Sequence, residues 1–138
     1  MLSFLTNALN AVLLLLVALA PFLPWRGREA VRGRDVAEFW ARSLVGIGVG
    51  VALAESGKKW EVWAGHPAFP SGHETLALAA ATSLACRDRR WLMVGVPLAA
   101  LQAWALITGH FHTPEDVTGA LVTGIVPPLT AHLIRRRR

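Results

Sequence analysis

The chain has 138 residues, 54% of them hydrophobic and 17% charged, where a soluble domain carries roughly 25% charged residues. The apolar residues come in blocks joined by short charged connections, which excludes an ordinary soluble domain, and the length admits a single domain. The net charge of +5 lies between those blocks, which excludes a nucleic-acid-binding role. A lone cysteine, Cys86, excludes an intrachain disulfide and a cysteine-based zinc cluster.

About 20 apolar residues cross the hydrocarbon core of a bilayer, and five stretches approach that length. The first runs from Leu2 to Leu23. Its Ala18-Leu19-Ala20 resembles a signal-peptidase site, but Pro21 follows directly and no basic residue precedes the apolar run, so it reads as a retained span. The second, Val36 to Ala54, carries Gly46-x-Gly48-x-Gly50. No strand precedes these glycines, so Gly46 and Gly50 read as a close-packing helix face and not as a nucleotide loop. The third runs from Ser71 to Cys86, the fourth from Trp91 to Thr108 and the fifth from Val117 to Ile134. Pro97, Pro127 and Pro128 kink or shorten the last two. Trp25, Trp40, Trp60, Trp63 and Trp91 fall near span ends, where amphipathic rings favour the interface. The expected architecture is an all-α integral membrane bundle of five transmembrane helices.

Eleven of the 14 basic residues lie on one side of this arrangement: Arg26, Arg28, Arg32 and Arg34, then Arg87, Arg89 and Arg90, then Arg135 to Arg138. Arg42 joins them at the edge of the second span, and only Lys58 and Lys59 lie opposite. The positive-inside rule puts the N-terminus outside and the C-terminus in the cytoplasm, as five spans require. The arginine tail reads as a topology anchor that attracts anionic membrane lipids.

Four of the five histidines (His66, His73, His110, His112) then share the outer side with Glu55, Lys58, Lys59, Glu61, Glu74, Glu115 and Asp116. Polar groups gathered at one membrane face mark a functional site. Some have bland readings as well. Ser71-Gly-His-Glu74 fits a capping box, Thr113-Pro-Glu-Asp116 fits a helix start, and Lys58 fits a headgroup anchor. His132, at the cytoplasmic end, reads as structural, and Glu61 and Glu115 carry no assignable role.

Three ordered segments make up the cluster: Lys59-x6-His66-Pro67, Pro70-Ser71-Gly72-His73 and His112-x3-Asp116. In that order and spacing they resemble the phosphatidic acid phosphatase type 2 / haloperoxidase superfamily, whose signatures are Lys-x6-Arg-Pro, Pro-Ser-Gly-His and Ser-Arg-x5-His-x3-Asp. The resemblance covers Lys59 to about Gly119. It implies phosphoryl transfer through a phosphohistidine, with no metal and no cofactor. His112 would be the nucleophile, Asp116 the carboxylate that orients it and His73 the proton donor to the leaving oxygen. Lys59, Ser71 and the amides near Gly72 would hold the phosphate oxygens.

Elementary chemistry agrees. Phosphoryl transfer rests on positioning and electrostatic stabilisation, a helix start is an anion site, and a carboxylate on one imidazole nitrogen fixes the tautomer that leaves the other free to attack. Two departures stand out. His66 replaces the first arginine, and Ala105-Leu106 replace the Ser-Arg pair. If the fourth helix persists to His110, that residue shares a face with Leu106, and His66 with His110 would stand in for the arginines. Histidine grips phosphate less firmly than an arginine fork, which predicts weak phosphate affinity and activity falling above about pH 7.

The expected function is a multi-pass phosphatase of the plasma (inner) membrane that acts on a lipid phosphate or pyrophosphate at the non-cytoplasmic face. Beside it stands a non-catalytic lipid-phosphate binding or transport protein on the same fold. The family's usual six spans become five here, which leaves room for a homodimer that replaces the missing packing.

Overall fold

The computed structural model describes residues 1–23, 33–60, 62 and 66–134. Among them are five α-helices and no strand: α1 (Leu2–Leu19), α2 (Gly33–Lys59), α3 (Gly72–Arg87), α4 (Leu92–Thr108) and α5 (Pro114–Leu133). A 3₁₀ turn over Arg89–Trp91, capped by the Asp88 side chain on the Arg90 N–H (3.0 Å), leads into α4. Trp25, Glu61, Trp63, Arg26, Arg28, Arg32 and Arg135 to Arg138 lie outside the described residues.

Three helices are long and apolar enough to cross a membrane: α1, α2 and the segment Arg89–Thr108 that contains α4. α3, with 16 residues, and α5 fall outside that set. The outward faces carry Phe4, Leu44, Leu53, Met93, Trp104 and Val122, all exposed. In water so much exposed apolar surface is a liability; facing hydrocarbon it costs nothing.

The ends of the helices differ from the sequence reading for local reasons. α1 stops at Leu19, not Leu23, because Pro21 cannot continue the hydrogen-bond ladder. α2 runs beyond Ala54 to Lys59. Its last turns are sustained by an ion pair between Lys58 Nζ and Glu55 Oε1 (2.7 Å, three residues apart), and by two lysines at the negative end of the helix dipole. Trp91 is buried in the core and is not an interface anchor.

α3 is the axis of the bundle and touches all four other helices, whereas α4 and α5 meet only sparingly. Its sequence explains the position. Ala77, Ala79, Ala80, Ala81 and Ser83 are buried, and small side chains on several faces let neighbours approach from several sides. α5 closes on α2 in the same way. A Cβ on Gly46 would meet Pro128, and one on Gly50 would meet the Thr123 carbonyl oxygen. Gly46 and Gly50 thus form the close-packing face read from the sequence. At the far end Arg42 Nη1 donates to the His132 carbonyl (2.7 Å) and also pairs with Glu38, while Ser43 Oγ meets His132 Nε2 (3.3 Å). His132 therefore ties α5 to α2, as a structural residue would.

The two glycine environments separate packing from propensity. Gly48 has open space where a Cβ would go, so Gly48→Ala should leave the stability read by thermal unfolding in detergent unchanged or raise it, by up to about 1 kcal/mol of helix propensity. Gly50→Ala should lower it, by about 1–3 kcal/mol of overpacking.

Candidate active site

The starts of α3 and α5 and the ends of α2 and α4 converge at one end of the bundle. At the start of α3, Ser71 is the N-cap: its Oγ accepts the Glu74 N–H (3.3 Å). The return half of that capping box is absent, because the Ser71 N–H donates instead to the Asp116 carbonyl oxygen (2.9 Å). That bond joins the second motif to the third. It also releases the Glu74 side chain, which is 3% exposed and whose Oε2 finds no partner among the described residues.

At the start of α5 the capping box is complete. Thr113 Oγ1 accepts the Asp116 N–H (3.3 Å), and Asp116 Oδ2 accepts the Thr113 N–H (3.0 Å). The same Oδ2 faces His112 Nδ1 at 3.4 Å. The Asp116 carboxylate is 4% exposed and the His112 ring 12%. Capping and histidine orientation are thus one geometry: the cap fixes the carboxylate, and the carboxylate holds the imidazole by Nδ1. Burial pushes the His112 pKa below its ordinary 6.5, the positive charges of Lys58 and His73 add to that, and Asp116 opposes it. The ring is therefore neutral at pH 7.

α4 does not persist to His110. It ends at Thr108 in a Schellman turn, with the His110 N–H on the Ile107 carbonyl and the Phe111 N–H on the Leu106 carbonyl (3.0 Å each). The expected helical face shared by Leu106 and His110 does not form. His110 occupies the left-handed position of that turn, at φ 55°.

Two cavities meet at His112. One, of about 490 Å³, is lined by His66, His110, His112 and Asp116. The other, of about 380 Å³, is lined by His73 and His112 together with Leu106, Phe111 and the α1 residues Ser3, Thr6 and Asn7. The five histidine and aspartate candidates from the sequence are therefore brought together, but His66 and His110 share a cavity with Asp116 and not with His73. Gly72 lies under the Glu55–Lys58 pair: a Cβ there would come 3.3 Å from Lys58 Nζ and would collide with Glu55 Oε1. Lys59 is exposed one position on. Among the described residues no group of three or more His, Cys, Asp or Glu is placed to hold a metal ion.

The continuation of α2 past Ala54 brings Lys58, which in the sequence alone fits a headgroup anchor, close to Gly72. Ser3, Thr6 and Asn7 of α1 line the cavity that His73 and His112 share; the sequence signal for them is that, in an otherwise apolar helix, Ser3, Thr6, Asn7 and Asn10 fall on one face.

The left-handed backbone at His110 costs an L-residue about 1–2 kcal/mol that glycine does not incur. His110→Gly should raise stability by about 1 kcal/mol in thermal unfolding in detergent; a fall in stability would mean that the imidazole holds the turn.

No curated protein and no solved structure matches the chain. The family model described as the PAP2 superfamily matches residues 51–138, a stretch that takes in the end of α2, the loop to Ser71 and both helix starts that carry His73, His112 and Asp116. With most of its length inside that match, the chain belongs to the PAP2 superfamily, whose members are generally phosphatases and often membrane-bound.

Proposed function

We propose that this protein hydrolyses a lipid phosphate monoester or pyrophosphate at the outer membrane face, through a phosphohistidine on His112 and without a metal. The observation that carries the reading is the His112 Nδ1 to Asp116 Oδ2 contact at 3.4 Å, beside a cavity that His112 shares with His73. His112 Nε2 attacks phosphorus, the bond to the leaving oxygen breaks, and that oxygen takes its proton from His73. Water then attacks phosphorus and gives its proton to His73, the P–N bond breaks, and orthophosphate leaves. The Gly72 amide at the start of α3 and the Lys58 ammonium steady the charge on the phosphate oxygens. Ser71 positions that helix start by capping it.

A lipid substrate is supported by a second feature. An apolar groove of about 490 Å³ runs between α3, α4 and α5, from Glu74, Val117 and Thr118 beside the site to Ala85, Leu92 and Ile125. Glu74 to Ala85 spans about 16 Å of helix, room for a stretch of hydrocarbon chain whose headgroup reaches the site. The outer location is supported by charge. Arg34, Arg42, Arg87, Arg89 and Arg90 lie at the bundle end opposite His112, on the side expected to be cytoplasmic.

Phosphate release from dioleoyl phosphatidate in detergent, with chelator present, tests this. Wild type should release phosphate, and His112→Ala should reduce release by several orders of magnitude. A chelator-abolished activity, or one that survives His112→Ala, would contradict the mechanism. The pH profile gives a second reading. Neutral His112 is the reactive form and its pKa is lowered, so the acid limb of kcat/KM should lie below pH 6.5. Asp116→Asn removes the charge that opposes this lowering. It should move the limb to still lower pH and cut kcat by up to about 10⁴-fold.

A further inference from the structure

The face of α1 toward the active site is polar. Ser3, Thr6, Asn7 and Asn10 are all the polar residues in the 18-residue helix, and their spacing of i, i+3, i+4 and i+7 puts them on one stripe. Polar groups in a membrane span face the bundle interior or a cavity, because hydrocarbon offers them no partner. Three of them do so here: Ser3, Thr6 and Asn7 line the 380 Å³ cavity with His73 and His112. Across it stands Leu106, the residue at the position of the arginine in the superfamily signature.

We propose that α1 supplies the phosphate-oxygen donors that an arginine would otherwise provide, through the Asn7 side-chain amide and the Ser3 hydroxyl. The proposal rests on the reading of His112 as nucleophile and His73 as acid. In-line transfer puts phosphorus between those two rings, and the cavity they share is the one α1 lines. His66 and His110 line the other cavity, which lacks His73. The stripe's chemistry divides the work further. Thr6 Oγ1 already donates to the Ser3 carbonyl oxygen (2.9 Å), so toward a ligand it can only accept, from a protonated phosphate oxygen or a water. The Asn7 amide has two N–H groups to give and the Ser3 hydroxyl one.

A separate observation points to a polar occupant. One turn deeper on α1, Asn10 is 7% exposed, and one turn deeper on α4, Gln102 is fully buried. Asn10 Oδ1 and both amide atoms of Gln102 lack partners among the described residues. Buried amides left unpaired are costly, so the stretch beneath the cavity is suited to water and not to a lipid chain. α1 precedes residues 51–138, the stretch matched by the family model. Neutral donors hold an anion less tightly than a guanidinium, but their grip does not change across neutral pH.

The test uses the full chain in detergent, with dioleoyl phosphatidate as substrate and inorganic phosphate as competitive inhibitor. His112→Ala serves as the control for the parent reading: if it keeps activity, that reading fails and this one with it. Given a His112-dependent activity, Ser3→Ala/Asn7→Ala should raise both KM and the phosphate Ki by roughly tenfold or more, leaving the pH profile unmoved. Asn7→Asp should raise Ki further, since a carboxylate repels the anion. Leu106→Arg in the otherwise unchanged chain should lower Ki, and in the double variant should restore it. An unchanged Ki in the double variant would overturn the proposal. If the double variant does not fold, Leu106→Arg decides alone, and a Ki that it leaves unmoved overturns the proposal equally.

Discussion

One hydrogen bond organises the active end of this bundle: the Ser71 N–H on the Asp116 carbonyl oxygen, at 2.9 Å. It joins the first residues of α3 and α5, and the two helices then stay in register along their length. Thr75 and Thr123 share a hydroxyl contact at 2.7 Å. Further along, Gly124 lies so close to α3 that a Cβ would strike Leu78 and the Thr75 carbonyl oxygen. Because the bond takes the Ser71 donor, Glu74 cannot close its own capping box. Because Asp116 accepts from Ser71 with its carbonyl oxygen and holds Thr113 and His112 with its carboxylate, a single residue fixes the relative placement of the helix that carries His73 and of the His112 ring.

The electrostatics around that frame are modest. The cation held against the start of α3 is Lys58, itself paired with Glu55, and no arginine stands at either signature position. In the proposed reaction, stabilising a phosphoryl-transfer transition state with so little fixed charge would shift the burden to oriented amides, to neutral donors and to the exclusion of water. Burial of His112 would serve the same end in the proposed mechanism, since a neutral ring would attack an anion without first losing a proton. A lipid chain in the apolar groove beside Glu74 would, in the proposed reading, give binding energy far from the reacting atoms, which could be used to hold the phosphate where weak groups suffice.

Most of the helical layout is legible in the sequence because membrane helices are written in long apolar blocks and broken by Pro21 and by the basic turn at Arg87 to Arg90. The His112–Asp116 relation is legible through the resemblance of His112-x3-Asp116 to the family signature, and the helix start at Thr113-Pro114 is legible from its capping residues. What could not be read is whatever depends on contacts between segments. The Ser71–Asp116 bond has no local signature. The Schellman turn that stops α4 at Thr108 places a histidine where glycine or asparagine is usual, so composition points the other way. Whether Lys58 or Lys59 approaches Gly72 depends on where α2 ends, and a helix rotates by about 100° per residue. The α1 stripe was visible as periodicity, but its meaning comes only from what it faces.

The central claim is that phosphate passes through a covalent bond to His112. Rapid mixing with radiolabelled phosphatidate, followed by an alkaline quench that preserves phosphohistidine, reads this directly. Label should be retained on wild-type protein during turnover, should be lost on acid treatment and should be missing from His112→Ala. Steady phosphate release with no label on the protein, or equal label on the His112→Ala variant, would contradict it.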